Sequence, residues 1–280
     1  LSILLHLDFF DGVLMVEEIK LTELVFLSEK RKKLLLFLKD KPRTMAEIQE
    51  HLSSVPVSIL PQVKKLKEGK LVVQKGHAYE LTLLGTIIAE KMPPFLDTLD
   101  VLEQNFDYWA KRDLEGIPPF LRKRIFELKG CKLIVPDVSH MFELSPEFVD
   151  RLHISTHILG FSSYFHPSFT TLYPEIAKKG VEISLILADP VIQRFKKDYG
   201  EELLTLMNFE NVSIFAFHGD ARIADFTVTD TFFLITLFSR DKYFEHESLI
   251  SIEPEALKWG TDLFSHMLKE ATRVTDVQAL

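Results

Sequence analysis

At 280 residues the chain is long for one domain and comfortable for two. Its 46% hydrophobic and 26% charged residues exclude a disordered, collagen-like or disulfide-stapled chain. A net charge of −8 argues against uniform nucleic-acid binding, and the single cysteine, Cys131, excludes an intrachain disulfide or a cysteine-built zinc site within one chain. A reducing, cytoplasmic setting is the simplest reading, and no stretch has the length of a transmembrane helix.

Residues 1–14 contain an apolar run without a basic leader or a small-residue cleavage site. Met15 reads as the natural start, and 1–14 as a non-native or disordered extension. Helical periodicity begins near Leu21 and continues through Leu34, Phe37 and Leu38, one face of a helix. Lys41-Pro42 stops it. Thr44 followed by Glu47 is a capping box, and Met45, Ile48 and Leu52 form the next buried stripe. A short turn leads to a third helix from Pro56, with Ile59, Val63 and Leu66 facing the core. Two short strands then flank Gly76-His77, a hairpin.

Three helices followed by a hairpin over residues 15–92 make a winged helix-turn-helix. Charge agrees: residues 28–77 carry 12 Lys and Arg against 5 Asp and Glu, whereas residues 93–280 carry 19 against 29. A helix fits the major groove of double-stranded DNA and presents its early residues to base edges. Ser54, Val57, Ser58 and Gln62 occupy those positions, with Gln62 able to bond adenine bidentately. Arg43, Thr44, Lys64, Lys65 and Lys67, with Lys75 and His77 at the wing, are placed for the backbone. Pro61 predicts that the third helix either starts late or bends.

Pro93-Pro94 reads as a boundary, opening a helical connector over 93–130. Within it Phe95, Leu99, Leu102, Phe106 and Trp109 recur at heptad-like spacing. The stripe is either the seam of a homodimer or a face packed on the chain's own regulatory domain.

Residues 131–280 change character. Short apolar runs of strand composition at 133–137, 157–163, 181–188, 211–217, 223–230 and 232–238 alternate with helical stretches at 146–153, 168–179, 190–207 and 254–272. This predicts an α/β regulatory domain with a parallel or mixed sheet. The segment 160–167, at the end of a strand, mixes hydroxyls, aromatic faces and an imidazole, as small-molecule pockets do. Ser162, Ser163, Tyr164 and His166 are its candidate effector-binding residues, with Arg222 and Asp225 on a later strand. No P-loop, Gly-x-Ser-x-Gly elbow or His-Glu-x-x-His helix is present, so neither catalysis nor a cofactor or metal is expected.

The segment from Thr44 to Gly85 resembles the MarR- and ArsR-type winged helices. The motifs Tyr108-Trp109, Arg112-Asp113-Leu114-Glu115-Gly116-Ile117-Pro118, Gly130-Cys131-Lys132-Leu133-Ile134, Gly180 to Leu187 and Ala256 to Phe264 resemble, in that order, the methanogenesis regulatory family of archaeal transcriptional regulators. The resemblance spans about 20–272 and implies a winged helix before a regulatory domain of undefined ligand. The late part, Asp225 to Asp230 with the Trp259 helix, is also similar to archaeal sugar-responsive regulators, whose effector domain resembles a phospholipase-D half without its catalysis. Such a phosphodiesterase needs a histidine with a lysine two residues on, and none of the ten histidines has one. The alternatives are an interaction module that does not bind DNA, or a degenerate phosphodiesterase.

Overall fold

The computed structural model describes residues 3–10, 13–137, 139 and 143–275, with side chains from Lys20 onward. Two compact units form, Leu1–Leu96 and Asp97–Leu280. The first opens with an antiparallel hairpin, β1 (Ile3–Phe10) and β2 (Val13–Ile19), so the described residues within 1–14, which the sequence reads as a non-native or disordered extension, are in strand.

Two helices, α1 (Leu21–Phe26) and α2 (Glu29–Phe37), replace the single one expected from Leu21. Ser28 divides them: its backbone is extended and its hydroxyl accepts from the Arg31 N–H at 3.4 Å, an N-cap inside the periodic run. Then β3 (Arg43–Thr44) leads into α3 (Met45–Leu52) through the capping box, with Thr44 N–H donating to Glu47 at 2.7 Å. Ser53, at φ 46, closes α3 in the left-handed region. That turn launches α4 (Pro56–Glu68), and β4 (Val72–Lys75) with β5 (Ala78–Leu81) forms the wing around Gly76, whose φ of 59 suits glycine. The sheet order is β3-β5-β4, and Leu34, Ile48, Ile59, Leu66 and Leu71 are fully buried together. This is the arrangement of a winged helix-turn-helix.

Next, α5 (Leu83–Gln104) runs through Pro93-Pro94 without a break, so the boundary expected there is not a helix end. Ala89, Met92 and Val101 are buried along it, and that packing offsets the backbone bonds the prolines remove. Nor do residues 93–130 form a separate connector. After α6 (Phe106–Lys111) and α7 (Pro119–Arg122), the residues Tyr108, Trp109, Ile117, Leu121 and Ile125 belong to the core of the second unit. The Asp113–Gly116 stretch explains itself: Asp113 and Glu115 both hold Arg222 at 2.9 Å, and Gly116 lies against the Arg222 backbone, with no room for a Cβ. Arg112 is buried and ion-paired to Glu245 and Glu247.

The second unit continues β6 (Lys132–Ile134), α8 (Pro146–Ile154), β7 (His157–Ser162), α9 (Phe169–Lys178), β8 (Glu182–Ala188), α10 (Asp189–Asp198), α11 (Gly200–Met207) and β9 (Val212–Phe217). It closes with β10 (Ile223–Thr229), β11 (Phe233–Leu237), β12 (Ser248–Ser251), α12 (Pro254–Leu268) and β13 (Ala271–Arg273). The eight-stranded sheet has the order β13-β9-β8-β7-β10-β11-β12-β6. Its β7, β8 and β9 are parallel and the remaining pairings antiparallel, so the mixed sheet read from the sequence is present. The helix expected over 190–207 divides at Tyr199, and the end of the 254–272 helix is strand β13.

Side chains alternate between two cores, one per face of the sheet. Ile183, Leu185 and Leu187 join one; Ile186, Phe226 and Val228 join the other, with Trp259. Helix α12 lies so close to β11 that a Cβ on Gly260 would stand 2.4 Å from the buried Phe233 ring. Gly260→Ala therefore loses about 1–3 kcal/mol to overpacking, less up to ~1 kcal/mol of regained helix propensity. Gly200→Ala, with nothing within 4 Å, is the neutral control. Denaturant titration reads both: a Gly260→Ala midpoint equal to that of Gly200→Ala would show that α12 packs elsewhere.

Candidate functional site

Two features stand out, one in each unit. In the first, α4 buries Ile59, Val63 and Leu66 and turns the opposite face outward. That face carries Val57, Leu60, Pro61, Lys64 and Lys65, all exposed. Val57 is 81% exposed and Leu60 48%, an apolar patch beside two cations. Since α4 starts at Pro56, Pro61 lies inside it on the outer face. Lys67 donates to Gln74 on the wing at 3.3 Å, Lys75 is ion-paired to Glu80, and His77 is exposed at the wing tip.

Other residues expected at this face are differently engaged. Gln62 is half-buried and its carbonyl oxygen accepts from the Arg31 guanidinium at 2.8 Å, so it serves the buried Arg31 rather than projecting as a base reader. The Ser54 and Ser58 hydroxyls donate to the Leu52 and Val55 carbonyls at 3.0 and 2.9 Å, which makes them turn residues. Arg43 lies over the Phe37 ring at 4.2 Å and 3.7 Å from Glu47, and Thr44 is committed to its capping box. Leu60 was not legible as a surface residue; its spacing three residues from Val57 and four from Lys64 is the signal.

In the second unit, the sheet and the segments 134–137, 143–148 and 244–248 enclose a cavity of about 450 Å³. Register builds its floor. Ser162 on β7, Asp225 on β10, Thr236 on β11 and Ser248 on β12 are successive cross-strand partners, and all four line the cavity. In the adjoining row Gly160 pairs with Thr227, and Thr227 with Leu234. The walls are aromatic: Phe148, Tyr164, Phe169, Tyr173 and Phe244. Tyr164 packs on Phe244 with ring centroids 4.6 Å apart, and Phe169 on Tyr173 at 5.3 Å.

Asp225 is the unusual member. It is buried, and its Oδ1 has no hydrogen-bond partner among the described residues. Burial pushes its carboxyl up to about 7, against a smaller opposing effect of the Thr236 hydroxyl. Burial also raises the Tyr164 and Tyr173 phenols, and the nearby Asp225 adds to both shifts. His246, also lining the cavity, is held below the usual imidazole range by burial and by His166.

Of the six residues expected in an effector pocket, Ser162, Tyr164 and Asp225 line this cavity and the other three do not. Ser163 donates to the Ala224 carbonyl at 2.9 Å across the strand pair. His166 braces the turn before α9, its Nδ1 accepting from the Ser168 N–H at 3.2 Å. Arg222 points to Asp113 and Glu115. Among the described residues no group of three or more His, Cys, Asp or Glu could hold a metal ion, and no helix is long and apolar enough to cross a membrane.

Residues 19–100 match the N-terminal domain of the methanogenesis regulatory protein FilR1, and residues 141–270 match its middle domain. The chain belongs to this family. The FilR1 protein of Methanothrix harundinacea (strain 6Ac) is 22% identical over 254 residues, covering 89% of this chain and 57% of the relative. This FilR1-family chain thus spans a little over half the length of that relative. Its fold is similar to that of TrmBL2, an archaeal chromatin protein, at 12% identity and TM-score 0.42, covering 88% of this chain and 93% of the other. It is also similar to NucT from Helicobacter pylori, at 10% identity and TM-score 0.40, covering 51% of this chain and 98% of the other. In the FilR1-family chain the matched N-terminal domain contains the α4 face, and the matched middle domain contains all four floor residues of the cavity.

Proposed function

We propose that this chain is a transcriptional regulator that binds double-stranded DNA through α4 and the wing and binds an effector in its second unit. The outward face of α4 carries the reading. A helix launched from a tight turn, with exposed Val57 and Leu60 ahead of Lys64 and Lys65, presents apolar contacts for thymine methyls and cations for phosphates. The MarR- or ArsR-type character of the wing, a cytoplasmic setting and the absence of catalysis belong to this reading. Membership of a regulatory-protein family supports it.

Gel-shift titration with the DNA upstream of the chain's own gene is the direct test. A retarded complex that survives excess unrelated DNA supports the reading. Equal affinity for both DNAs, or no complex at 50 mM salt, overturns it.

The same reading includes a homodimer, because winged helices commonly read two half-sites. The five-residue stripe is not one face. Trp109 is buried and donates to the Val101 carbonyl at 2.9 Å, which assigns it to the chain's own core. Phe95, Leu99 and Phe106 remain 51%, 37% and 66% exposed and are the residues available to a second copy. Leu99→Glu with Phe106→Glu should yield a folded monomer in sedimentation with most of its operator affinity lost. Wild type that sediments as a monomer while bound to DNA removes the dimer.

A further inference from the structure

The floor of the cavity consists of one row of polar side chains contributed by four strands, and the row has an unmet need. Ser162 donates to the Tyr164 carbonyl at 2.7 Å, and Thr236 and Ser248 share a hydrogen bond at 2.8 Å. The Oδ1 of Asp225 receives nothing from the described residues. A buried acceptor left without a donor is costly, and more so when it is charged, so a fold retains one chiefly where something else supplies the donor.

The lining says what that donor is. Its ionisable groups are Asp225, Asp137, Glu143, His246 and the phenols of Tyr164 and Tyr173. Among the described residues neither a lysine nor an arginine lines it. An anionic ligand would meet carboxylates without a counter-charge, and a wholly apolar one would leave the Asp225 Oδ1 buried without a donor. Aromatic side chains, in contrast, line the cavity together with the carboxylate, and a ring face attracts an ammonium group. A volume of about 450 Å³ is within the range of small-molecule sites.

We propose that this cavity binds a small organic cation, an amine on an apolar body, with its ammonium group donating to Asp225 and its body against Phe169, Tyr173 and Phe244. The proposal rests on reading the second unit as the effector-binding half, and it names the chemical class of the effector.

The test uses the full chain and a set matched in shape: phenethylamine, 2-phenylethanol and phenylacetate, with benzyltrimethylammonium as a cation that cannot donate. Thermal unfolding gives the first readout, because a ligand that binds only the native state raises the midpoint, and calorimetric titration gives affinity. Phenethylamine should bind at least tenfold tighter than its neutral and anionic counterparts, with benzyltrimethylammonium between. Asp225→Asn should lose that preference, tenfold or more for phenethylamine, while 2-phenylethanol changes less than threefold. Glu210→Gln, at an exposed carboxylate outside the cavity lining, should change each by less than threefold. The inference is overturned if the neutral or anionic compound binds as tightly as the amine. Unchanged amine affinity in Asp225→Asn, or no midpoint change with either cation at millimolar concentration, overturns it equally. None of these measurements contains DNA, so a failed amine with an intact operator complex removes this inference alone. A failed operator complex with an intact amine response removes only the DNA reading.

Discussion

Replacing Lys64 and Lys65 with Ala should weaken binding to every DNA sequence alike and flatten its salt dependence. Each phosphate contact contributes about 0.9 to the slope of log affinity against log salt, so losing two removes about 1.8 per copy. Relative to 1 M salt, the same relation makes each contact worth about eightfold at 0.1 M, and the pair about sixtyfold. Both ammonium groups are on the exposed face of α4, and only Lys64 has an intrahelical partner, Glu68 at 3.7 Å. Val57→Ala and Leu60→Ala should instead alter preference among sequences and leave the slope unchanged, because neither carries charge. Gln62→Ala should do neither. Its carbonyl oxygen satisfies the buried Arg31, so its loss should appear as about 1–3 kcal/mol of stability. Fluorescence-anisotropy titrations at four salt concentrations separate the three classes. An unchanged slope in the double lysine variant would remove α4 from the DNA interface.

The second large effect is a change in pH dependence. Asp225 holds its proton more tightly in the folded chain, at about 7, than an unfolded aspartate does at about 3.9. The native state therefore binds more protons between those values, and stability falls as pH rises through them. The contribution is fully present below pH 4 and gone above 7, where the chain buries a carboxylate with neither lysine nor arginine among the described lining residues. An asparagine at this position cannot ionise and escapes that loss. At one pKa unit per 1.4 kcal/mol, Asp225→Asn should be more stable than wild type at pH 8 by up to about 4 kcal/mol. The gap should close toward pH 4. The phenols of Tyr164 and Tyr173 line the same cavity as the carboxylate, and these and the Tyr108 phenol, all raised by burial, stay protonated throughout; His246 is common to both proteins. The difference between the two chains thus isolates Asp225. Thermal midpoints at pH 4, 6 and 8 measure it, and parallel curves would show that the carboxylate is solvated.

Periodicity carried the winged helix a long way. The stripes at Ile48 and at Ile59, Val63 and Leu66, the capping box and the wing all follow from local chemistry within some forty residues. What failed there were positions where a polar side chain is spent on the fold: Ser28 as a cap, Gln62 on Arg31, Ser58 on its own turn. A single sequence shows the residue type and the helix face, but not which hydrogen bond has claimed the side chain. The prolines misled for the opposite reason, since burial along α5 outweighs a local rule. In the second unit six of the eight strands were legible; the short β12, which carries Ser248, and β13 were not, and neither was the strand order. Ser162, Asp225, Thr236 and Ser248 are scattered over 87 positions and meet only through register. One local sign existed: Asp225, Thr227 and Thr229 alternate with Ala224, Phe226 and Val228 in a strand with no exposed residue, so one buried face of β10 is polar.

That same row bears on how such a domain diversifies. Each of its four members is held by a different strand, whose backbone pairing does not depend on which small polar side chain it carries. Substituting one alters a single corner of the floor and leaves the ladder beneath it intact. Relatives can thus acquire new chemical tastes one strand at a time, with the scaffold as the inherited part and the row as the editable one.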